Sequence, residues 1–197
     1  MENLPGIKQF RLKGKVAIVT GGSKGLGLAM AAGLASAGAD IMLVNRNLEE
    51  GSKAAESIEN AYPVKSLAYS ADITQEDQTQ AMAEAAIQHF GRIDILINNA
   101  GINIRGAIDE LDYTQFQQAM KVKTDGAWLA SKAVVPFMKK SGSGRIINIA
   151  STLGLVGLAN RTPYTSSKGA VVQMTRALAL ELAPFRINVN AICPGPF

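Results

Sequence analysis

The chain has 197 residues, of which 47% are apolar and 18% charged, with 19 glycines; that balance fits one core-burying domain and excludes an intrinsically disordered chain. Lys and Arg number 20 against 16 Asp and Glu, a net charge of +4, and the basic residues are scattered rather than gathered into a nucleic-acid footprint. One cysteine, Cys193, and one histidine, His89, provide no disulfide and no thiolate or imidazole metal cage, and no apolar run reaches the ~18 residues of a membrane span.

The first fifteen residues, MENLPGIKQFRLKGK, are polar and lack an apolar signal core, which gives the cytoplasm as the expected compartment. Residues 1–14 read as a lead-in. Short runs rich in Val and Ile then alternate with segments of helical periodicity. The runs cover residues 16–20, 41–45, 66–70, 93–98, 145–150 and 187–193. The helical segments cover about 25–37, 48–60, 75–90, 113–140 and 163–183. Gly38 and Gly91 follow two of the helices as stop signals. Thr162 followed by Pro163 reads as an N-cap with proline at the first helical position. Such alternation predicts an α/β fold of Rossmann type, a doubly wound parallel sheet of six strands with helices on both faces.

After the first strand comes Thr20-Gly21-Gly22-Ser23-Lys24-Gly25-Leu26-Gly27. Gly21 allows a tight turn, Gly25 lets a pyrophosphate approach the backbone, and Gly27 lets helix and strand pack closely. A helix N-terminus with free amides favours a diphosphate. Taken alone, the turn also fits a ligand-free glycine-rich connection. No Gly-Lys-Ser/Thr triplet closes it, which excludes a Walker-type loop. Dinucleotide sites usually place an acid about 20 residues further on, to hold the ribose hydroxyls. The second strand instead ends Val44-Asn45-Arg46, so Arg46 and Lys24 are candidates for a 2′-phosphate.

Tyr164 and Lys168 stand four residues apart in the last helix and share one face of it. Bringing a phenol from pKa ~10 to ~7 requires about 4 kcal/mol. One positive charge at ~4 Å and an effective dielectric of ~20 supplies about that much. Ser151 follows the fifth strand, at the sheet end where open α/β folds bind ligands, as a donor to a carbonyl oxygen. Asn98-Asn99-Ala100-Gly101 ends the fourth strand with small and polar groups suited to a flat ring or a ribose. Arg105 and Arg161 flank this region as candidates for a substrate carboxylate. His89, at a helix end before Gly91, offers no hydrolase chemistry.

These motifs, in this order, resemble the short-chain dehydrogenase/reductase family, including its gluconate 5-dehydrogenase-like and 3-oxoacyl reductase-like members. The resemblance runs from Gly14 to Phe197. It rests on the glycine turn, Asp72 after the third strand, residues 98–101, Ser151, Tyr164, Lys168 and Pro194-Gly195. It implies hydride transfer between NADP(H), or NAD, and a carbonyl or secondary alcohol. Tyr164 is the implied general acid/base, Ser151 polarises the substrate oxygen, and Lys168 holds the nicotinamide ribose and lowers the Tyr164 pKa. The implied cofactor-binding residues are Gly21, Ser23, Lys24, Gly25, Leu26, Gly27, Asn45, Arg46, Asp72, Ile73, Asn99, Ala100, Gly101, Tyr164, Lys168, Pro194 and Gly195. No metal is implied. The alternative is a non-catalytic NADP(H)-binding protein on the same fold.

Two departures stand out. In Val122-Lys123-Thr124-Asp125-Gly126, Lys123 takes the place of the Asn that usually completes the family's catalytic tetrad, where it repels Lys168. Family members also continue beyond the Pro-Gly pair through a substrate-covering segment and a seventh strand, so the single domain 1–197 is expected to be truncated at its C-terminus. Residues 127–138 and 170–182 are apolar beyond the needs of one face, which predicts a homodimer or homotetramer.

Overall fold

The computed structural model describes residues 6–195. Apolar runs buried on both sides form the middle of a parallel sheet, because crossover helices cover both of its faces. The chain gives β1 (Val16–Thr20), β2 (Asp40–Asn45), β3 (Ser66–Ser70), β4 (Ile95–Asn98), β5 (Gly144–Ile149) and β6 (Ile187–Ile192). All pairings are parallel, in the order β3-β2-β1-β4-β5-β6. The half-polar composition of β3 and the alternating burial of β6 follow from their places at the two edges. Starting from β1, the chain winds outward through β2 and β3 and returns on the other side as β4. The connections leaving β1 and β4 therefore diverge and open a crevice at their carboxyl ends.

The helices are α1 (Gly25–Ser36), α2 (Leu48–Ala61), α3 (Glu76–Phe90), α4 (Tyr113–Met120), α5 (Gly126–Ser141) and α6 (Thr162–Leu182). Successive strand residues point to opposite faces, and the core divides accordingly. Ala17, Val19 and Leu43 pack with Ala31 of α1 and Ile58 of α2. Ile18, Met42 and Leu96 pack with Met82 of α3, Val134 of α5 and Leu182 of α6. Among the described residues, no helix is long and apolar enough to cross a membrane.

Three expectations are corrected. Residues 113–140 form two helices joined by a π-turn, Lys121–Asp125, in which the Gly126 amide donates to the Lys121 carbonyl. Thr162 is the first helical residue of α6 rather than its cap. β4 starts at Ile95 because Ile93 and Asp94 precede the ladder. Of the lead-in, residues 1–5 lie outside the described residues; Ile7–Phe10 forms an exposed 3-10 turn, and the Leu12 amide ties the segment to the Ala37 carbonyl at 2.7 Å.

Asp94 fastens the amino ends of β1 and β4. Its carboxylate accepts from Lys15 Nζ at 2.9 Å, from Arg92 Nε and Nη2 at 2.6 and 2.7 Å, and from the Val16 amide at 3.0 Å. Burial alone raises its pKa, but the bonds from Arg92, Lys15 and Val16 outweigh burial and hold the carboxyl below the usual range. A depressed carboxyl stabilises the fold above its unfolded pKa of ~3.9 and loses that contribution as pH falls through its folded value. Asp94→Asn is therefore expected to cost about 2–3 kcal/mol at pH 7. In urea unfolding, the gap from wild type should narrow as the pH drops below about 4.

Candidate active site

The glycine turn builds the first wall of the site. Gly21 and Gly25 have φ of +62° and +54°, in the left-handed region open to glycine. A Cβ on Gly21 would lie 2.9 Å from Ala100 Cα, and one on Gly27 would lie 2.0 Å from the Gly21 carbonyl oxygen. A Cβ on Gly25 would meet no other part of the described chain within 4 Å. Gly21 and Gly27 thus close the turn on itself, while Gly25 leaves bare backbone at the start of α1. No side chain caps that helix, so its first-turn amides remain available to an anion.

Beside the turn lies a cleft of about 590 Å³, bordered by Ser23, Lys24, Asn45, Arg46, Asp72 and Ile73. Gly21 and residues 99–101 also line it. Asp72 accepts from the Thr74 amide at 2.9 Å. That bond lowers its pKa against a smaller desolvation effect, with Arg46 and Lys121 adding positive charge. Glu50, which sequence reading did not single out, enters the same corner from the first turn of α2. It pairs with Lys24 Nζ at 3.2 Å and accepts from Ser23 Oγ at 3.1 Å. Arg46 is exposed, and its side chain has no ion-pair partner among the described residues.

A second cleft, of about 680 Å³, adjoins the first through Asn99, Gly101 and Ile102. It gathers Ser151, Tyr164, Lys168, Arg105 and Arg161, together with Leu26, Pro194 and Gly195. Gly25 and Gly27 shape the turn without lining either cleft. Ser151 Oγ accepts from the Leu153 amide at 3.1 Å, which leaves the hydroxyl proton free to donate. Lys168 is buried, and its Nζ donates to the Ile149 carbonyl. Burial lowers its pKa to about 8, with the nearby Cys193 acting upward. Arg161 Nη1 donates to Asn103 Oδ1 at 3.1 Å. Among the described residues, four basic side chains and no carboxylate line this cleft. His89 is exposed and far along the chain from these elements, at the end of α3.

Lys123 also lines the second cleft. It is 4% exposed, and its Nζ has no hydrogen-bond partner among the described residues. Nζ sits 4.0 Å from the centre of the Tyr164 ring. Burial, and then the charge of Lys168, push its pKa down to about 7.

The short chain dehydrogenase family profile matches residues 15–197. The 2-dehydro-3-deoxy-D-gluconate 5-dehydrogenase of Dickeya dadantii is 40% identical over 190 residues, 96% of this chain and 74% of that protein. An NAD+-bound xylitol dehydrogenase superposes with a TM-score of 0.90 at 37% identity, covering 93% of this chain and 70% of the other. A gluconate 5-dehydrogenase from Burkholderia cenocepacia J2315, in complex with NADP and tartrate, gives 0.91 at 34% identity, covering 95% and 73%.

The buried amines make stability depend on pH. Unfolded, both lysines hold their protons to about pH 10.4; folded, Lys123 releases its proton near pH 7 and Lys168 near 8. The unfolded chain binds more protons in between, so stability rises with pH across that window. Lys123→Met removes a partnerless buried ammonium and is expected to stabilise the protein by about 1–3 kcal/mol at pH 6. Thermal unfolding at pH 6 and pH 10 should show that advantage shrinking at the higher pH.

Proposed function

Since the chain belongs to the short-chain dehydrogenase family, oxidoreductases that bind NAD(P) and act on small molecules, we propose that it transfers a hydride between NADP(H) and the carbonyl or secondary alcohol of a small carboxylated compound. The observation that carries this reading is the meeting of Ser151, Tyr164 and Lys168 in one cleft at the carboxyl end of the sheet.

The residues present fit a dinucleotide. Bare backbone at Gly25 and the uncapped start of α1 suit the diphosphate. Asp72, Ile73 and residues 99–101 line the adjoining wall. When bound, the nicotinamide accepts or gives the hydride. The chain's own residues handle the proton. Ser151 donates to the substrate oxygen and stabilises charge developing there. Tyr164 gives its phenolic proton to that oxygen in reduction and takes it back in oxidation. Lys168, fixed one turn further along α6 by the Ile149 carbonyl, favours the phenolate by its charge.

Arg46 is the group assigned to the 2′-phosphate, since Lys24 is already paired with Glu50. A charge-assisted contact exceeds a neutral one, which favours NADP(H) over NAD(H). Arg105 and Arg161 are assigned to the substrate carboxylate, supported by the absence of any acid in the cleft wall. Sugar-acid substrates therefore take precedence over 3-oxoacyl thioesters. Trp128 on α5 and Leu180 on α6 are exposed apolar residues, in keeping with a homodimer or homotetramer.

Tyr164→Phe is expected to lower kcat by ~10²–10⁴ while NADPH affinity, read by fluorescence enhancement, stays near wild type. Retained activity would remove Tyr164 from the mechanism. Arg46→Asp is expected to turn the preference toward NADH in a comparative binding titration. Wild-type protein binding NADH more tightly than NADPH would instead assign the corner to Glu50 as a ribose acceptor.

A further inference from the structure

Three titratable side chains share one wall of the substrate cleft: Lys123, Tyr164 and Lys168. The two amines approach the same ring, with Lys123 Nζ at 4.0 Å from its centre and Lys168 Nζ at 5.9 Å. Lys168 has the Ile149 carbonyl as its partner; Lys123 has none among the described residues. A buried ammonium without a partner is costly, and no structural bond explains its place. The π-turn brings it there, since Lys123 is the one buried residue of Lys121–Asp125. Such bulges gather at functional sites.

We propose that Lys123 is a positioning residue for the proton transfer assigned above to Tyr164: its ammonium, lying against the ring face, draws the phenol toward the phenolate. The inference rests on that assignment. A cation is attracted to the face of a neutral aromatic ring. Ionising the phenol adds a negative charge to the ring system that the cation faces and strengthens that attraction. Phenol with neutral amine and phenolate with ammonium carry the same number of protons, so the pair titrates as a unit. Only in the second form does Lys123 gain the counter-charge that its burial otherwise denies it. With Tyr164 neutral, burial and then the charge of Lys168 push the Lys123 pKa down to about 7. Lys123 exchanges no atom with the substrate: the alcohol proton passes to Tyr164 Oη, the hydride to the oxidised dinucleotide, and the lysine sets the pH at which Tyr164 is ready.

The groups that face Lys123 are Tyr164 and Lys168 from α6, with Cys193 acting on Lys168 from beyond β6. On its own segment, Lys121 and Asp125 are exposed. The titratable side chains of α4 and α5, Tyr113, Lys132, Lys139 and Lys140, are also exposed. Among the described residues, no carboxylate of the cleft wall competes with the phenolate for the ammonium.

The test compares wild type, Lys123→Met and Lys123→Arg, with Tyr164→Phe as the blank. Tyrosinate absorbance is titrated against pH without added dinucleotide. Subtracting Tyr164→Phe isolates Tyr164 from Tyr62, Tyr69 and Tyr113. In Lys123→Met, the phenolate signal of Tyr164 that accompanies the Lys123 ammonium is expected to be lost, so that tyrosinate appears only at higher pH than in wild type. Lys123→Arg keeps a permanent cation and is expected to restore most of the shift. The pH profile of kcat/KM for alcohol oxidation should move upward in the same direction in Lys123→Met. An unmoved or lowered ionisation in Lys123→Met, or an upward shift that Lys123→Arg fully shares, would overturn the inference. The two readings separate cleanly. If Tyr164→Phe keeps its activity while Lys123→Met moves the titration, the proposed mechanism fails and the coupling stands. If Tyr164→Phe is inactive and Lys123→Met leaves the titration unmoved, the coupling alone fails.

Discussion

The crevice depends on a set of hydrogen bonds that stitch the carboxyl end of β1 to that of β4. Thr20 Oγ1 accepts from the Asn99 and Ala100 amides at 3.0 and 3.2 Å and donates to the Ile97 carbonyl at 3.3 Å. Asn99 Nδ2 donates in return to the Thr20 and Gly21 carbonyls, at 3.1 and 3.0 Å. At about 1 kcal/mol each, these bonds hold together two loops that the sheet order drives apart. They fix the glycine turn against residues 99–101, which is why Gly21 and Gly27 have no room for a Cβ. The proposed cradle for a diphosphate and the proposed wall for a ring are thus one piece of backbone.

Beneath the second cleft, a buried polar chain performs the same office for the side chains that the proposed function makes catalytic. Asn98 Nδ2 donates to Asn148 Oδ1 at 2.9 Å and to Ser131 Oγ at 3.0 Å, and Asn148 Nδ2 donates to Thr175 Oγ1 at 2.9 Å. β4, β5, α5 and α6 are tied by their side chains immediately under Ser151 and Lys168. Polar groups at such depth fix geometry because each misplacement leaves an unsatisfied partner. Among the described residues, Asn98 Oδ1 and Lys123 Nζ are two of the buried polar atoms left without a partner, and the lysine lies against the Tyr164 ring, to which the proton transfer is assigned in the proposed function.

Much of this was legible in the residues. Apolar runs and glycine stops gave every strand and most helix bounds, because parallel strands buried on both faces read as unbroken runs. The turn glycines were legible because each answers a different steric demand. The third strand, Ser66–Ser70, left the faintest apolar signal, since its sequence is half polar and an edge strand needs less apolar cover. The π-turn was hidden: the periodicity of residues 113–140 runs straight through it, and one extra residue per turn leaves no mark on composition. The depth of Lys123 was hidden with it; the family resemblance set it against Lys168, but burial is the larger cause of its lowered pKa and the charge of Lys168 the smaller. Glu50 looked like an ordinary first-turn acid of α2, and only the folded chain brings it to Lys24. Thr20 reads as the last residue of a strand, and its hydroxyl finds its partners 77 to 80 residues away.

The dependence of the crevice on the β1–β4 stitch is tested most directly by NADPH binding to Asn99→Ala, followed by fluorescence alongside far-UV circular dichroism. Loss of two donors at about 1 kcal/mol each predicts an NADPH affinity at least about tenfold weaker, with the helix signal unchanged. Wild-type affinity in a folded Asn99→Ala protein would contradict it and show that the two loops hold their places without the stitch.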